Sequence, residues 1–301
     1  MTDGLWPALE LGGSHVTSGL VSEGNRRVVA GTVQRFPIDS AAAATEILAT
    51  VARAAAALDY SDGACCGFAV PGPFDYEAGI ARYRDVGKFE SLRGVDVRAE
   101  LAHRLLRPLD LRFLNDAAAF GLGEVISRGL PPDRRAVAIT LGTGVGSAFL
   151  AGRRVVAAGA DVPPEGRVDL LRIGDRALED VVSTRAILGT YRRVTGVKLD
   201  GLQALAALAR QGDAAARSSI DTALGELGTS LGPWLDRFGA EVLIVGGSFS
   251  AAWDLIEPAL RSGLRRGSRS RLPDLQQSSD TEGSTLVGAA LAVRERQETE
   301  N

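Results

Sequence analysis

The feature that most limits how this chain can fold is a repeated junction, a hydrophobic strand running into a glycine-bearing turn. It occurs as Leu9-Glu-Leu-Gly-Gly-Ser-His15, as Ile139-Thr-Leu-Gly-Thr-Gly-Val-Gly-Ser147 and as Glu241-Val-Leu-Ile-Val-Gly-Gly-Ser248. A glycine turn lets backbone amides approach an anion with no side chain in the way. The first two junctions share one design, strand, turn, strand, which points to two lobes of similar topology presenting amides to one ligand. The third opens a helix, where small residues leave room for a flat ring to lie against backbone. Taken singly, each turn reads equally well as an ordinary turn.

Between the first two junctions lies Phe113 to Glu124, read as a buried strand that ends in Asn115-Asp116 and runs directly into a helix. A carboxylate fixed at such an edge can take a proton from a bound hydroxyl, and Asp116 is the candidate base. The dipeptide alone reads first as a helix N-cap. Its company of two phosphate-type turns favours chemistry.

In chain order, residues 5–11, 15–22 and 27–33 read as a three-stranded antiparallel meander. Residues 40–58 follow as a packing helix capped by Ser40. Cys65 to Val70 is a short apolar strand, and the Pro71-Gly72-Pro73 break after it sets the chain over a strand edge able to line a pocket. Helical periodicity covers 95–106, and 109–114 is the strand that delivers Asn115. A strand at 136–141 leads into the second turn. Residues 157–175 form a long loop carrying Glu165, Arg167 and Asp169, and a loop of that length in a compact domain is usually functional. Residues 177–188 read as one helix with Glu179 in it, either a solvated first-turn acid or a site residue. Helices follow at 202–208 and 214–238, the second with Ile220, Leu224, Leu227, Leu231, Trp234 and Leu235 on one face as core or subunit contact, then a buried strand at 241–248 and a helix at 251–264. An arginine-rich connection contains a short strand near 272–275, and the last helix spans 286–296 before a fraying tail from Gln297 to Asn301.

Composition removes several function classes. The formal charge of −3 offers no basic stripe for nucleic acid, and no apolar run is long enough to span a membrane. Cys65 and Cys66, adjacent in an apolar run, match no metal spacing and read as reduced core residues. The expected compartment is the cytoplasm.

Taken together, these motifs resemble the ROK (repressor, open reading frame, kinase) family within the actin-like ATPase superfamily, over essentially the whole chain. Glu10-Leu-Gly-Gly-Ser14 is similar to the family's Asp-x-Gly-Gly-Thr phosphate motif, and Asn115 to Glu124 to its sugar motif. Leu141 to Gly146 is similar to its second phosphate motif, and Val245-Gly246-Gly247 to its adenosine motif. The resemblance implies an α/β, two-lobed actin-like ATPase (ribonuclease H-like) fold with a deep interlobe cleft. The smaller lobe is expected over 1–116 with the C-terminal helix 285–301, and the larger over 117–284.

The implied activity is ATP- and Mg2+-dependent transfer of a phosphoryl group to the primary 6-hydroxyl of a hexose, of the hexokinase or glucokinase type. Asp116 would be the base, with Gly72, Asn115, Glu165 and Glu179 on the sugar. Gly12, Gly13, Ser14, His15, Gly142, Thr143, Gly144, Gly246 and Gly247 would hold ATP, and Glu10 would face the metal indirectly. A homodimer is implied. The chain departs from the family where a Cys-rich zinc segment precedes the equivalent of Glu179, because Asp169 to Leu178 holds no Cys or His. It is thus expected to be a zinc-lacking member of actinobacterial type. The family's sugar-motif histidine is replaced by Val168 or, with a shift of one, Asp169. An acid there points to an amino sugar such as kanosamine, or to a C7-cyclitol. The alternatives are a non-catalytic sugar sensor and a DNA-binding repressor, the latter disfavoured because the chain begins on the first catalytic strand.

Overall fold

In a computed structural model the chain is described over residues 4–300, with side chains as far as Val293. It divides into two compact units, Met1–Leu130 with Asp280–Asn301, and Pro131–Ser279. Among the described residues no helix is long and apolar enough to cross a membrane.

In the first unit, β1 (Leu5–Leu11) and β2 (His15–Ser22) form an antiparallel hairpin across the first glycine turn. The expected third strand is instead two short ones, β3 (Arg27–Val28) and β4 (Gln34–Pro37), which both pair with β2. A turn closed by the Thr32 hydroxyl on Val29 O separates them. Helix α1 (Ala44–Ala56) starts four residues later than Ser40 and has no side-chain cap. Strand β5 (Ala64–Val70) lies parallel to β1, and a small hairpin follows, β6 (Phe74–Asp75) with β7 (Ile80–Ala81). Helix α2 (Val97–Arg104) is capped by Asp96, whose side chain accepts from Ala99 N. Strand β8 (Leu109–Asn115) then completes the sheet, order β3-β2-β1-β5-β8, and runs directly into α3 (Asp116–Ser127).

The second unit repeats that plan. Strands β9 (Arg135–Leu141) and β10 (Val145–Ala151) form the hairpin of the second glycine turn, and β11 (Arg154–Val155) adds to its edge. The long loop is organised by two short 3-10 turns, Pro164–Gly166 and Val168–Leu170. A small hairpin, β12 (Arg172–Ile173) with β13 (Arg176–Ala177), follows. The single helix expected over 177–188 is broken into α4 (Glu179–Val182) and α5 (Thr184–Thr195). Ser183 is extended between them, and its hydroxyl accepts from Ala186 N to cap α5. Helices α6 (Leu202–Arg210) and α7 (Ala214–Phe238) lead to β14 (Val242–Gly246), parallel to β9. A 3-10 turn at Ser248–Ala252 precedes α8 (Trp253–Gly267), and β15 (Asp274–Gln277) lies parallel to β14, so this sheet runs β11-β10-β9-β14-β15. The apolar stripe expected on α7, with Ile220, Leu224, Leu227, Leu231 and Leu235, lies in the core.

The final helix, α9 (Thr281–Glu300), begins five residues earlier than its apolar periodicity suggests, because Asp280 caps it by accepting the Gly283 amide at 2.9 Å. The expected fraying of Gln297 to Asn301 falls on side chains, and for Asn301 on backbone, outside the described residues. Helix α9 returns to the first unit and meets α3 backbone to backbone. A Cβ on Gly123 would sit 1.7 Å from Ser284 O, and one on Gly288 would sit 1.8 Å from Ala119 O. Buried Glu124 ties the same pair, accepting from Ser284 Oγ at 2.7 Å and from Arg128 at 2.7 Å. Helix α3 therefore belongs with the first unit, and the sequence-based division at 116 and 285 moves to 130 and 280. Gly288→Ala is expected to lower unfolding stability by about 2–3 kcal/mol in chemical denaturation, because no flexible side chain can yield the space. Gly24→Ala, where a Cβ meets nothing, serves as the control and should change little.

Candidate functional site

In the first unit the strand-to-helix junction at β8 and α3 sorts its two polar residues. Asn115 is the N-cap, its Oδ1 accepting from Ala118 N at 3.1 Å. Asp116 is the first helical residue, part-buried, with Oδ1 accepting from Ala117 N at 2.8 Å. The cap is thus the neighbour of the proposed base. The Asn115 Nδ2 donates to the Tyr76 hydroxyl at 3.1 Å, and that hydroxyl would lie 3.4 Å from a Cβ on Gly72. Tyr76 is set by its ring, which packs at 5.5 Å on Phe74, itself 5.1 Å from Phe113. Gly72, Tyr76 and Asn115 therefore stand together, with Asp116 the next residue along the chain. Fully buried Tyr83 holds the chain just before Gly72, donating to Pro71 O at 3.0 Å.

The first glycine turn brings a second polar group. Gly12 N donates to His15 O at 2.9 Å, and the Ser14 hydroxyl lies 3.1 Å from His15 Nδ1. Glu282, in the first turn of α9, accepts from Thr17 Oγ1 at 2.5 Å and from Arg35 Nε at 2.8 Å, with His15 Nε2 at 3.5 Å. Its burial opposes ionisation, but the bonds from Arg35 and Thr17 hold its carboxyl below the ordinary glutamate range. Glu10 behaves in the opposite way, pushed up to about 8 first by burial, then by the negative charge of Asp116 and Glu282, with Arg35 as the opposing cation. Three carboxylates, Asp116, Glu282 and Asp280, act on Glu10 against the single cation Arg35, an excess of hard oxygen charge that fits Mg2+. Among the described residues no three such side chains converge as a metal cage, so Glu10 fits an indirect role.

The second unit holds the other two turns, and they touch. Gly247 has φ +89°, and a Cβ there would lie 2.3 Å from Leu141 O, so only glycine lets β14 end against β9. The Thr184 hydroxyl donates to Gly142 O at 2.6 Å, and Gln203 Nε2 to Ser248 O at 2.8 Å, bracing both turns. Thr143 is exposed at the tip. Glu179 lies against this turn, since a Cβ on Gly144 would come 2.2 Å from its Oε1. That places a carboxylate where the resemblance led us to expect phosphate-binding backbone.

Glu165 is 71% exposed at φ +57°, in ion pairing with Arg167 at 3.3 Å. Arg167 also holds Asp169 at 2.6 Å, and Val168 is a core residue. Ser147 pins this loop, donating to Gly166 O and accepting from Val168 N, each at 2.9 Å. Both replacements for the motif histidine are thus already committed, one to the core and one to a guanidinium. Sequence reasoning missed Tyr76, Arg35, Glu282 and Thr184, and only Glu282 carries a local signal, standing two residues after the capping Asp280.

Cys65 and Cys66 are buried free thiols, and burial pushes the Cys65 thiol up to about 12. They carry no part of the site.

Comparison with known proteins adds three findings. The ROK family model matches residues 7–296. A glucokinase of Thermotoga maritima is 28% identical, the match covering 96% of each chain. Two solved structures are similar in fold. One is a ROK hexokinase from Thermus thermophilus, 21% identical over 98% of this chain and 100% of that one, TM-score 0.75. The other is a ROK family glucokinase from Streptomyces griseus in complex with glucose and AMPPNP, 22% identical over 97% and 100%, TM-score 0.75.

Glu10 yields a pH signature. Its folded pKa lies above the unfolded value of 4.5, so its contribution to stability is full below about pH 4.5 and is lost as pH rises through about 8. In metal-free buffer Glu10→Gln is therefore expected to raise the thermal midpoint relative to the parent at pH 9 and to change it little at pH 4. Equal offsets at both values would show that Glu10 does not hold its proton.

Proposed function

Since the chain belongs to the ROK family, we propose that it is an ATP-dependent sugar kinase in which Asp116 deprotonates the primary hydroxyl of a hexose or hexose-like acceptor. The observation that carries this reading is the group formed by Asn115, Asp116, Gly72 and Tyr76 at the end of β8. It combines one carboxylate with a donor and a hydroxyl at fixed positions. Such a set can orient a polyol and accept one of its protons.

We assign nucleotide binding to the backbone turns at Gly12, Gly13, Ser14 and His15 and at Gly142, Thr143, Gly144, Gly246 and Gly247, each turn able by itself to offer amides to a phosphate. Their backbone amides would stabilise charge on the transferring phosphoryl group. Mg2+, when bound, would neutralise charge on the phosphates, with Glu10 as an indirect partner. The glucokinase relative supports a hexose-type acceptor.

The acceptor is better read as neutral than as an amino sugar. Asp169, the acid that would greet an ammonium group, already holds Arg167, and so does Glu165. Glucose-like hexoses and C7-cyclitols therefore rank ahead of kanosamine.

Turnover is tested by ADP release against a panel of hexoses, amino hexoses and cyclitols. Binding without turnover on any of them would favour a sensor. Asp116→Asn is expected to lower kcat by about 10²–10⁴-fold with sugar KM within a few-fold, since the shape is kept and the proton acceptor lost. Tyr76→Phe removes one hydroxyl and leaves its ring packing. Its expected effect is a rise of about tenfold in sugar KM, the worth of one hydrogen bond to a polar ligand, with kcat and ATP KM near the parent values.

A further inference from the structure

The stretch from Arg261 to Arg271 holds five arginines that the proposed reaction does not use. The structure sorts them. Arg266 reaches Ser262 at 3.1 Å, and the Arg269 amide donates to Asp236 at 2.6 Å. Arg261, Arg265 and Arg271 instead line a surface pocket of about 670 Å³ together with Arg134, over an apolar floor of Leu272 and Pro273.

Two of these four guanidinium groups are matched. Arg134 pairs with Glu241 at 2.8 Å, and Arg261 pairs with Glu257 one helical turn away. The other pocket carboxylate, Asp274, accepts from Gln276 Nε2 at 2.6 Å. Arg265 and Arg271 are exposed and, among the described residues, have neither an ion-pair nor a hydrogen-bond partner. Four arginines against two carboxylates, Glu241 and Asp274, thus leave an excess of two positive charges in one concavity of a chain of net charge −3.

The pocket lies far from the glycine turns of its own unit. It gathers at the start of β14 and β15, where Val242 stands opposite Asp274, whereas Gly246 and Gly247 end β14. The five residues of that strand separate the two places by about 15 Å.

We propose that this pocket is a second anion site that takes a chain of linked phosphates. A guanidinium fork fits the paired oxygens of a phosphate, whereas one isolated phosphate fills one or two forks. Arginines from three separate segments, spread around a pocket of this size, call for several anionic groups joined at short intervals. The same triphosphate chemistry occurs free and at the tail of a nucleotide, and the experiment separates the two.

Sodium tripolyphosphate is titrated calorimetrically into the full chain with the nucleotide turns saturated by a non-hydrolysable ATP analogue. One site is expected, weakened by salt as counterion release requires. Arg265→Gln/Arg271→Gln should weaken it about tenfold or more, with thermal midpoint and ATP-dependent turnover unchanged, while Arg265→Lys/Arg271→Lys keeps part of the affinity. If a second equivalent of the analogue fills the pocket and excludes tripolyphosphate, the natural occupant is a nucleotide tail, and the phosphate-chain assignment stands. The proposal is overturned by equal affinity in the glutamine variant, by monophosphate binding as tightly as tripolyphosphate, or by a polyglutamate peptide binding more tightly than either. The readout is the tripolyphosphate affinity lost in the glutamine variant, taken both with and without the analogue, so it succeeds or fails independently of the sugar kinase reading.

Discussion

The contact on which the first unit depends is the direct approach of α9 to α3 and β5, backbone against backbone. Gly67, Gly123 and Gly288 leave no room for a Cβ, with the carbonyls of Ala289, Ser284 and Ala119 in the way. Close packing of this kind gains many small dispersion contacts and fixes the helix axially, since any slide would drive a carbonyl into a neighbouring residue. The functional consequence is positional. The first turn of α9 carries Asp280 and Glu282, so the depth of the helix sets where these carboxylates stand relative to Glu10 and Arg35.

That placement creates an electrostatic asymmetry. Glu282 takes Arg35 and Thr17 and stays ionised, and Glu10 is left beside Asp116 with its proton favoured. Two glutamates of the same unit are thus driven in opposite directions, Glu10 by burial first and by neighbouring carboxylates second, Glu282 by its bonds from Arg35 and Thr17. In the sugar kinase we propose, this excess of carboxylate would suit a cation arriving with the nucleotide, and Glu10 is the group whose ionisation such a cation would restore.

The second unit solves the corresponding problem with turns rather than charges. Gly247 closes on Leu141, and Thr184 holds Gly142, so two segments roughly a hundred residues apart form one rigid edge. The break of the expected helix at Ser183 makes this possible, because it frees Thr184 to begin α5 beside the turn. Helical periodicity over 177–188 gave no warning. An N-cap serine inside an apolar pattern is weak evidence until the tertiary contacts that reward the break are known.

Local pattern alone determined the strand-and-turn junctions, the Asn115-Asp116 step from β8 into α3, the buried stripe of α7 and the kinship with the ROK family. Each depends on residues within a few positions of one another, where φ/ψ preference and periodicity act directly. Tertiary structure alone decided that Arg35 meets Glu282 across 247 residues, that Tyr76 joins Asn115, and that Arg167 consumes Asp169. Charged and hydroxyl side chains accept many partners. The choice among them is made by packing between distant segments, and no local preference records it.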